Sequence, residues 1–392
     1  MSEGCPVPET RVLAVASHVV SGYVGNKIAV FSMQSLGCDV AALNTVQYSY
    51  RQWTGSRVSA QEITDLYRGL KQSYLDDFDM MLSGYVPGAP ALEAVGQIGL
   101  ELKRKAKGKP GSFFWVLDPV MGDNGNLYVA PDVVPVYKSL VHHADLVLPN
   151  QFEAELLSDT KITDVSALAN AIQIMHERYR IPHIIITSVS LPHPDHQEGS
   201  GPTLSVVGST MTSDSRARAF KIVFPAIDCY FSGTGDMFAA LMLVRMREAV
   251  WEHDQKIRRR KQEQGQNSDR DSNDILMTRD AWLSDDSVDA LDLPLARAAE
   301  KVLASMHEVL TKTAENMQGA IEKVKREVAA AASEEGLVDG VKEGTDGSVS
   351  KEEAEKKMMH LLKSKAAELR LVRHLDSLRF PKVQFKATRL EV

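Results

Sequence analysis

Short apolar runs alternate with helical patterns over the first 250 residues. Residues 11–17 predict a strand, the pattern after them predicts a helix that ends at Gly37, and residues 38–47 predict the next strand. Ser59 and Glu62 have the spacing of a capping box ahead of another apolar-periodic stretch. Further strands are predicted at residues 78–84, 113–118, 145–149 and 183–188, and further helices near 90–106, 132–141, 150–157 and 166–179. Apolar strands that alternate with helices predict an α/β fold with three layers, in which helices cover both faces of a mostly parallel sheet.

The pattern changes after residue 250. Residues 252–290 begin with a charged stretch that lacks aromatic side chains, which predicts a solvated, flexible insert. A long amphipathic helix is predicted from Pro294, a second flexible insert at 334–350, and a closing strand within 380–392. We find no internal repeat and expect one domain over residues 1–392.

Composition narrows the class of protein. The chain has 392 residues, of which 44% are hydrophobic and 25% charged, and a net charge of −7. This acidic balance argues against nucleic acid as a partner. The pattern contains no apolar run of membrane-spanning length, so we expect no membrane association and a cytoplasmic location. Three cysteines without C-x-x-C spacing argue against a disulfide framework and against a thiolate metal site.

The stretch G-T-G-D at 233–236 precedes an apolar run that predicts a buried helix. Free backbone N–H groups and the helix dipole at such a start favour an anion, so these residues could hold a phosphate. Alternatively, Gly233 and Gly235 make only a turn, and Thr234 or Asp236 caps the helix. The P-loop pattern G-x-x-x-x-G-K-[ST] is absent, which excludes that mode of phosphate binding.

Polar side chains also follow the predicted strands. Asp118 and Asp123 come after one strand, and Asn150 and Glu153 after the next. Ligands of such sheets bind beyond the carboxyl ends of the strands, and Mg²⁺ prefers one or two carboxylates together with water and substrate phosphates. Together these residues predict a magnesium site, although each alone could be a loop or cap residue.

Taken in order, the motifs resemble those of pyridoxal kinases of the ribokinase-like superfamily. The matching strings are SHVVSGYVGNKIAVFSMQSLG (17–37), NTVQYS (44–49), LSGY (82–85), DPVMGD (118–123), PDVVPVY (131–137), PNQFEAELLS (149–158), ITS (186–188) and GTGDMFAA (233–240). The resemblance implies a ribokinase-like fold, a homodimer, and transfer of phosphate from ATP to the 5′-hydroxymethyl group of pyridoxal, pyridoxine or pyridoxamine.

The resemblance also implies roles for individual residues. Asp236 would accept the hydroxyl proton, and residues 233–235, with Thr234 also at the nucleotide, would bind the transferring phosphoryl group. Asp118 and Glu153 would organise Mg²⁺ through water. The remaining nucleotide residues would be Asp123, Tyr128, Asn150, Thr187 and Ser188. The pyridine ring would be held by Ser17, Val24, Thr54 and Tyr85.

Two departures from the family pattern concern the site. Residues 49–56, SYRQWTGS, are two longer than the usual S-N-H-T-G-Y and lack its histidine. Trp53 in this loop could stack on the pyridine ring or fill the underside of the loop. Leu148 stands where the family commonly has a threonine, which leaves activation by K⁺ open.

Two other functions remain open at this point. A hydroxymethylpyrimidine kinase of the same fold would share GTGD but not the GYVGN and NQFEAELL stretches. A catalytically idle vitamer-binding protein is the alternative outside enzymes. That Asp236, both glycines, Asp118 and Glu153 are all present argues against it.

Overall fold

The computed structural model describes residues 5–50, 54–191, 202–264, 274–334, 359 and 361–391. Ten of its strands form one sheet, and two more form a small hairpin. The strands, in chain order, are β1 (Arg11–Val19), β2 (Asp39–Tyr48), β3 (Gly55–Arg57), β4 (Met80–Ser83), β5 (Phe114–Leu117), β6 (Gly122–Asp123), β7 (Asn126–Leu127), β8 (Leu146–Val147), β9 (His183–Val189), β10 (Thr203–Met211), β11 (Ala217–Pro225) and β12 (Thr388–Arg389).

The sheet has a parallel centre and antiparallel edges. Its order is β12-β11-β10-β9-β8-β5-β4-β1-β2-β3, with β6 and β7 forming the separate hairpin. The pairs among β2, β1, β4, β5, β8 and β9 are parallel. β3 and the strands from β10 to β12 pair antiparallel. The expected α/β class with a mostly parallel central sheet is therefore confirmed.

Helices cover both faces of this sheet. They are α1 (Asn26–Ser35), α2 (Ala60–Gln72), α3 (Ala89–Ala106), α4 (Val133–Leu140), α5 (Gln151–Ser158), α6 (Val165–Tyr179), α7 (Thr234–Glu263), α8 (Pro294–Glu334) and α9 (Leu375–Arg379). Short 3₁₀ turns lie at Val141–His143, Leu276–Thr278, Asp280–Trp282 and Leu371–Arg373. One apolar core joins the sheet to α1, α7 and α8, and the other joins it to α2 through α6.

Local sequence explains where several helices begin. The Ser59 hydroxyl accepts a hydrogen bond from Glu62 N, which satisfies one of the free N–H groups at the start of α2. The side chain of Asp164 caps α6 in the same way, accepting from Ala167 N at 2.8 Å. These starts lie where the polar residues before each apolar pattern predict them.

The interpretation of residues 252–290 as a flexible insert is wrong for the parts that the structure describes. α7 continues through the charged stretch and ends at Glu263. Within this part of the helix, the buried Asp254 carboxylate accepts hydrogen bonds from Leu276 N and Met277 N. Trp282 is fully buried, although the segment around it is mostly polar. These few buried contacts anchor a segment whose average composition indicated only a solvated surface.

Two other expectations concern the C-terminal third. The helix from Pro294 is confirmed, and it extends to Glu334. The rest of the second proposed insert, 335–350, lies outside the described residues, as does 265–273 in the first. Of the closing strand expected within 380–392, only β12 forms, and it pairs with Phe220 and Lys221 of β11.

The hydropathy of the described helices indicates whether any of them could span a membrane. None of the helices in these parts of the chain is long and apolar enough to cross a bilayer.

Candidate active site

A cavity of about 510 Å³ opens at the carboxyl ends of the parallel strands. It is lined by residues at or just beyond the carboxyl ends of β1, β5, β8 and β9 and by the start of α7. This is where ligands bind in open α/β sheets. The predicted site residues that line it are Ser17, Val24, Tyr85, Asp118, Asp123, Tyr128, Asn150, Glu153, Thr187, Ser188, Gly233, Thr234, Gly235 and Asp236.

Thr54 is the predicted site residue that the structure does not place on this cavity. It is exposed, and its carbonyl oxygen accepts a hydrogen bond from Ser49 N at 2.8 Å. This bond joins the ends of β2 and the edge strand β3, and Thr54 is not among the residues that line the cavity. Trp53, for which two roles were open, lies outside the described residues.

Asp236 lies in the first turn of α7 and is not its cap. Gly233 occupies the N-cap position, so the alternative in which Thr234 or Asp236 caps this helix is wrong. The Asp236 carboxylate instead accepts a hydrogen bond from Gly25 N at 2.8 Å, across from the loop after β1. Burial raises the pKa of Asp236 to about 6, and the Gly25 N–H group opposes that rise. A partly buried carboxylate with this pKa is suited to accept a proton near neutral pH.

Two glycines allow the β1–α1 loop to approach the start of α7. Gly233 has φ 77°, and a Cβ atom there would lie 2.0 Å from the carbonyl oxygen of Tyr23. Gly25 has φ 55°, and its Cβ atom would lie 2.0 Å from Ser17 O. A Cβ atom at position 233 would therefore push the loop away from α7, and one at position 25 would push the loop away from the end of β1. The G-T-G-D stretch thus makes a turn and also brings the loop against Asp236.

Asn150 and Glu153 form the capping box of α5. Asn150 Oδ1 accepts from Glu153 N, and Glu153 Oε2 accepts from Asn150 N, each at 2.9 Å. Glu153 Oε1 also accepts from Met121 N at 2.9 Å, which ties α5 to the loop after β5. Burial nevertheless raises the pKa of Glu153 to about 7. The capping role and the cavity-lining position thus belong to the same side chains.

Negative charge dominates the cavity. Its lining includes the carboxylates of Asp118, Asp123, Glu153, Asp236 and Glu368, and no lysine or arginine among the described residues. Burial, followed by the charges of Glu153 and Asp236, raises the pKa of Asp118 well above its ordinary range. A polyphosphate could enter this cavity only together with cations, because the described lining offers no positive side chain to offset its charge.

The carboxylates of this cavity fit a cation that is bound largely through water and phosphate oxygens. In the described parts of the chain, no three acidic, histidine or cysteine side chains come close enough together to hold a metal ion by themselves. Mg²⁺ commonly keeps several waters and binds one or two carboxylates with substrate phosphates. Asp118 and Glu153 have the chemistry for such a site.

Sequence reasoning missed several residues of the cavity wall. Four additional tyrosines line it, at positions 23, 48, 50 and 230. Glu368 reaches it from the C-terminal segment, where Oε1 accepts from Tyr50 OH at 2.6 Å and Oε2 accepts from Tyr23 N at 3.2 Å. The tyrosines of the Y-S-Y stretch could have been identified as candidates because they follow a predicted strand. Nothing in the local sequence around Glu368 marks it.

A second, smaller cavity of about 190 Å³ adjoins the first one. The two share Thr187, Ser188, Phe231, Phe238 and residues 234–235 in their walls. The remaining wall is mostly apolar and comes from β10, β11 and α8. A flat aromatic group could occupy this cavity while a charged group attached to it reaches the start of α7.

Comparisons with known proteins point to one family. Residues 101–248 match the family model of phosphomethylpyrimidine kinase. The chain is 33% identical over 311 residues to a putative pyridoxal kinase of Schizosaccharomyces pombe, covering 78% of this chain and 86% of that protein. It is 36% identical over 263 residues to human pyridoxal kinase, covering 62% of this chain and 78% of the human protein.

Among solved structures, the fold is similar to that of pyridoxal kinase from Leishmania donovani in complex with ADP and pyridoxamine. The TM-score is 0.67 and the sequence identity 25%, covering 98% of this chain and all of the other. The similarity therefore extends over both the parallel centre and the edges of the sheet.

Proposed function

The chain belongs to the pyridoxal kinase family, and on that premise we propose that it transfers the γ-phosphoryl group of ATP to the 5′-hydroxymethyl group of pyridoxal, pyridoxine and pyridoxamine. The observation that carries the proposal is the position of Asp236. Its partly buried carboxylate lies beside the N-terminus of α7, so a proton acceptor and an anion-binding helix start face one cavity.

The two adjoining cavities fit the two substrates. We assign the smaller, apolar cavity to the adenine base and the larger one to the vitamer and the phosphates, which would meet at residues 233–236. The tyrosines of the larger cavity offer aromatic faces for a pyridine ring. Ser17 lines this cavity and lies where the register of β1 against β2 shifts between Ala16 and His18, so we assign it to the ring as well.

The reaction needs positioning more than covalent chemistry. As the hydroxyl oxygen of the vitamer bonds to the γ-phosphorus, Asp236 accepts the hydroxyl proton and the bond to the ADP oxygen breaks. Backbone N–H groups at the start of α7 stabilise the transferring oxygens. Asp118 and Glu153 would hold a divalent cation through water, and that cation would neutralise part of the phosphate charge.

A pyrimidine substrate is the second candidate, because the family model that matches residues 101–248 is that of phosphomethylpyrimidine kinase. That match spans the nucleotide side of the site but not the loop after β1 or the tyrosines of residues 48–50, which line the other side of the larger cavity. The longer matches to pyridoxal kinases favour the vitamer.

A coupled assay of ADP formation tests the proposal. We expect turnover with each of the three vitamers, ATP and Mg²⁺, and a loss of at least about 100-fold when EDTA removes the cation, because five carboxylates would then face an unneutralised polyphosphate. Hydroxymethylpyrimidine replaces the vitamer in a parallel reaction. Turnover with the pyrimidine but with none of the vitamers would contradict the proposal.

The pKa of Asp236 predicts how activity depends on pH. A base must be unprotonated, and burial raises this pKa to about 6, so kcat/KM for pyridoxine should be nearly flat above pH 7. It should fall about tenfold per pH unit well below pH 6, as the carboxylate takes up a proton. The measurement is kcat/KM from pH 5 to 8 at saturating ATP and Mg²⁺. A profile that stays flat down to pH 5 would mean that Asp236 is not the base.

Two expectations from the sequence stay predictions, a homodimer and a cytoplasmic location. Activation by K⁺ stays open, because the buried Leu148 of the cavity wall supplies no hydroxyl.

A further inference from the structure

Glu368 joins the C-terminal segment to the loop that carries the substrate side of the cavity. Its carboxylate accepts from Tyr23 N and from the hydroxyl of Tyr50, and all three residues line the larger cavity. The side chain is half-buried, so these bonds are partly shielded from water. One carboxylate therefore holds two segments that follow different strands, β1 and β2.

The loop itself is built for this approach. Gly22 has φ 91°, and a Cβ atom there would lie 3.0 Å from Glu368 Oε2 and 3.0 Å from a ring carbon of Tyr50. A larger residue would displace the carboxylate. Glycine at position 22 thus allows the close contact between the loop, Tyr50 and Glu368.

The same loop reaches Asp236 within three residues. Tyr23, whose N–H group binds Glu368, has its carbonyl oxygen against Gly233, and Gly25 N donates to Asp236 Oδ2. The loop is therefore held on one side by Glu368 and on the other by Asp236. Movement of the first contact would change the shape of the cavity between them.

We propose that Glu368 is a positioning residue that, with Tyr50, fixes the β1–α1 loop and so sets the affinity of the site for the vitamer. We call the contacts of Glu368 with Tyr50 and Tyr23 the Glu368 clasp. The inference rests on the proposed function, because it assigns the loop side of the cavity to the vitamer. It assigns no proton transfer to Glu368.

Kinetics of Glu368→Ala test the clasp. Hydrogen bonds to charged groups of this kind change equilibria by about 10- to 100-fold, so KM for pyridoxal should rise within that range. KM for ATP should change less than about twofold, because the adenine cavity does not include Glu368. Glu93→Ala, on the exposed surface of α3, is the matched control and should change neither constant.

Two more variants separate positioning from general stability. Tyr50→Phe removes only the hydroxyl and should raise KM for pyridoxal less than Glu368→Ala does. The double variant should be less impaired than the product of the two single effects, because both remove the same contact. Tyr74→Phe, at a 90% exposed tyrosine, is the matched control for Tyr50→Phe and should leave KM for pyridoxal unchanged. Equal rises in KM for ATP and pyridoxal, or fully multiplicative effects, would overturn the proposal.

Hydrogen exchange gives a reading that needs no activity. Loss of the acceptor at Tyr23 N should speed amide exchange in a peptide of residues 19–25 by about tenfold in Glu368→Ala, and not in Glu93→Ala. Unchanged exchange would overturn the clasp even if kinetics changed. If the wild-type protein phosphorylates no vitamer, the proposed function fails, while this exchange measurement still decides whether Glu368 holds the loop.

Discussion

Replacing Asp236 with asparagine should lower kcat by about 10²- to 10⁴-fold, the usual contribution of a general base. Asparagine keeps the size of the side chain, and its carbonyl oxygen can still accept the Gly25 N–H group that binds Asp236 Oδ2 at 2.8 Å. It cannot accept the proton of the substrate hydroxyl. Affinities for ATP and vitamer should change little, because the loss lies in the transition state. The measurement is kcat at saturating substrates, with dissociation constants from calorimetry.

Asp164→Asn is the matched control for this variant. Asp164 caps α6 through Ala167 N, and asparagine and aspartate are about equally good caps, so activity and thermal stability should both be unchanged. If Asp236→Asn lowered kcat by less than about fivefold while remaining as stable as the wild type, Asp236 would not be the base.

Removing the Trp282 side chain should produce the largest loss of stability among the variants considered. Trp282 is fully buried, stacks on Phe114 of β5 with ring centroids 4.1 Å apart, and donates from Nε1 to Gly111 O at 2.8 Å. Trp282→Ala should reduce the free energy of unfolding by about 3–5 kcal/mol, since it opens a cavity and leaves the Gly111 carbonyl without this donor. With an unfolding entropy of about 2.1 cal/mol/K per residue, that loss lowers Tm by roughly 4–6 °C.

Thermal unfolding followed by circular dichroism measures this effect. Trp282→Phe keeps a stacking ring and loses the hydrogen bond, so its Tm should lie between those of Trp282→Ala and the wild type. Phe380→Ala, at a 69% exposed aromatic side chain, should leave Tm unchanged. The folded Trp282→Ala protein should retain its kcat, because Trp282 lines neither cavity. A Tm unchanged by Trp282→Ala would restore the interpretation of this segment as a solvated insert.

The sequence pattern predicted the parallel strands and the helices between them, because local residues determine these elements. The parallel strands are apolar and the helices between them are periodic, so β1, β2, β4, β5, β8 and β9 lie close to the predicted positions. The antiparallel strands β10 and β11 were not predicted. β10 is buried over residues 206–211, but Gly208, Ser209 and Thr210 interrupt its apolar run. β11 is mostly half-buried, with Val223 and Pro225 exposed, so neither strand shows the continuous apolar run of the parallel strands.

The residues of the site likewise fall into those that the sequence predicts and those that it does not. Residues at strand ends, such as Asp118 and Glu153, were predicted because parallel topology brings successive strand ends to one edge of the sheet. Thr54 was predicted from the family motif, but it is exposed and does not line the cavity. Glu368 could not be found, because its contact with Tyr23 joins residues 345 positions apart and depends on how the whole chain packs.

That separation matters while the chain is being synthesised. Ribosomes extend the chain from its N-terminus at about 5–20 residues per second, so the strands of the parallel centre emerge well before residue 368 does. A nascent chain can therefore complete the central sheet and the start of α7 while the β1–α1 loop still lacks its carboxylate partner. Binding of the vitamer with full affinity would begin only after the C-terminal segment has left the exit tunnel and docked, which makes it a late event in the maturation of the enzyme.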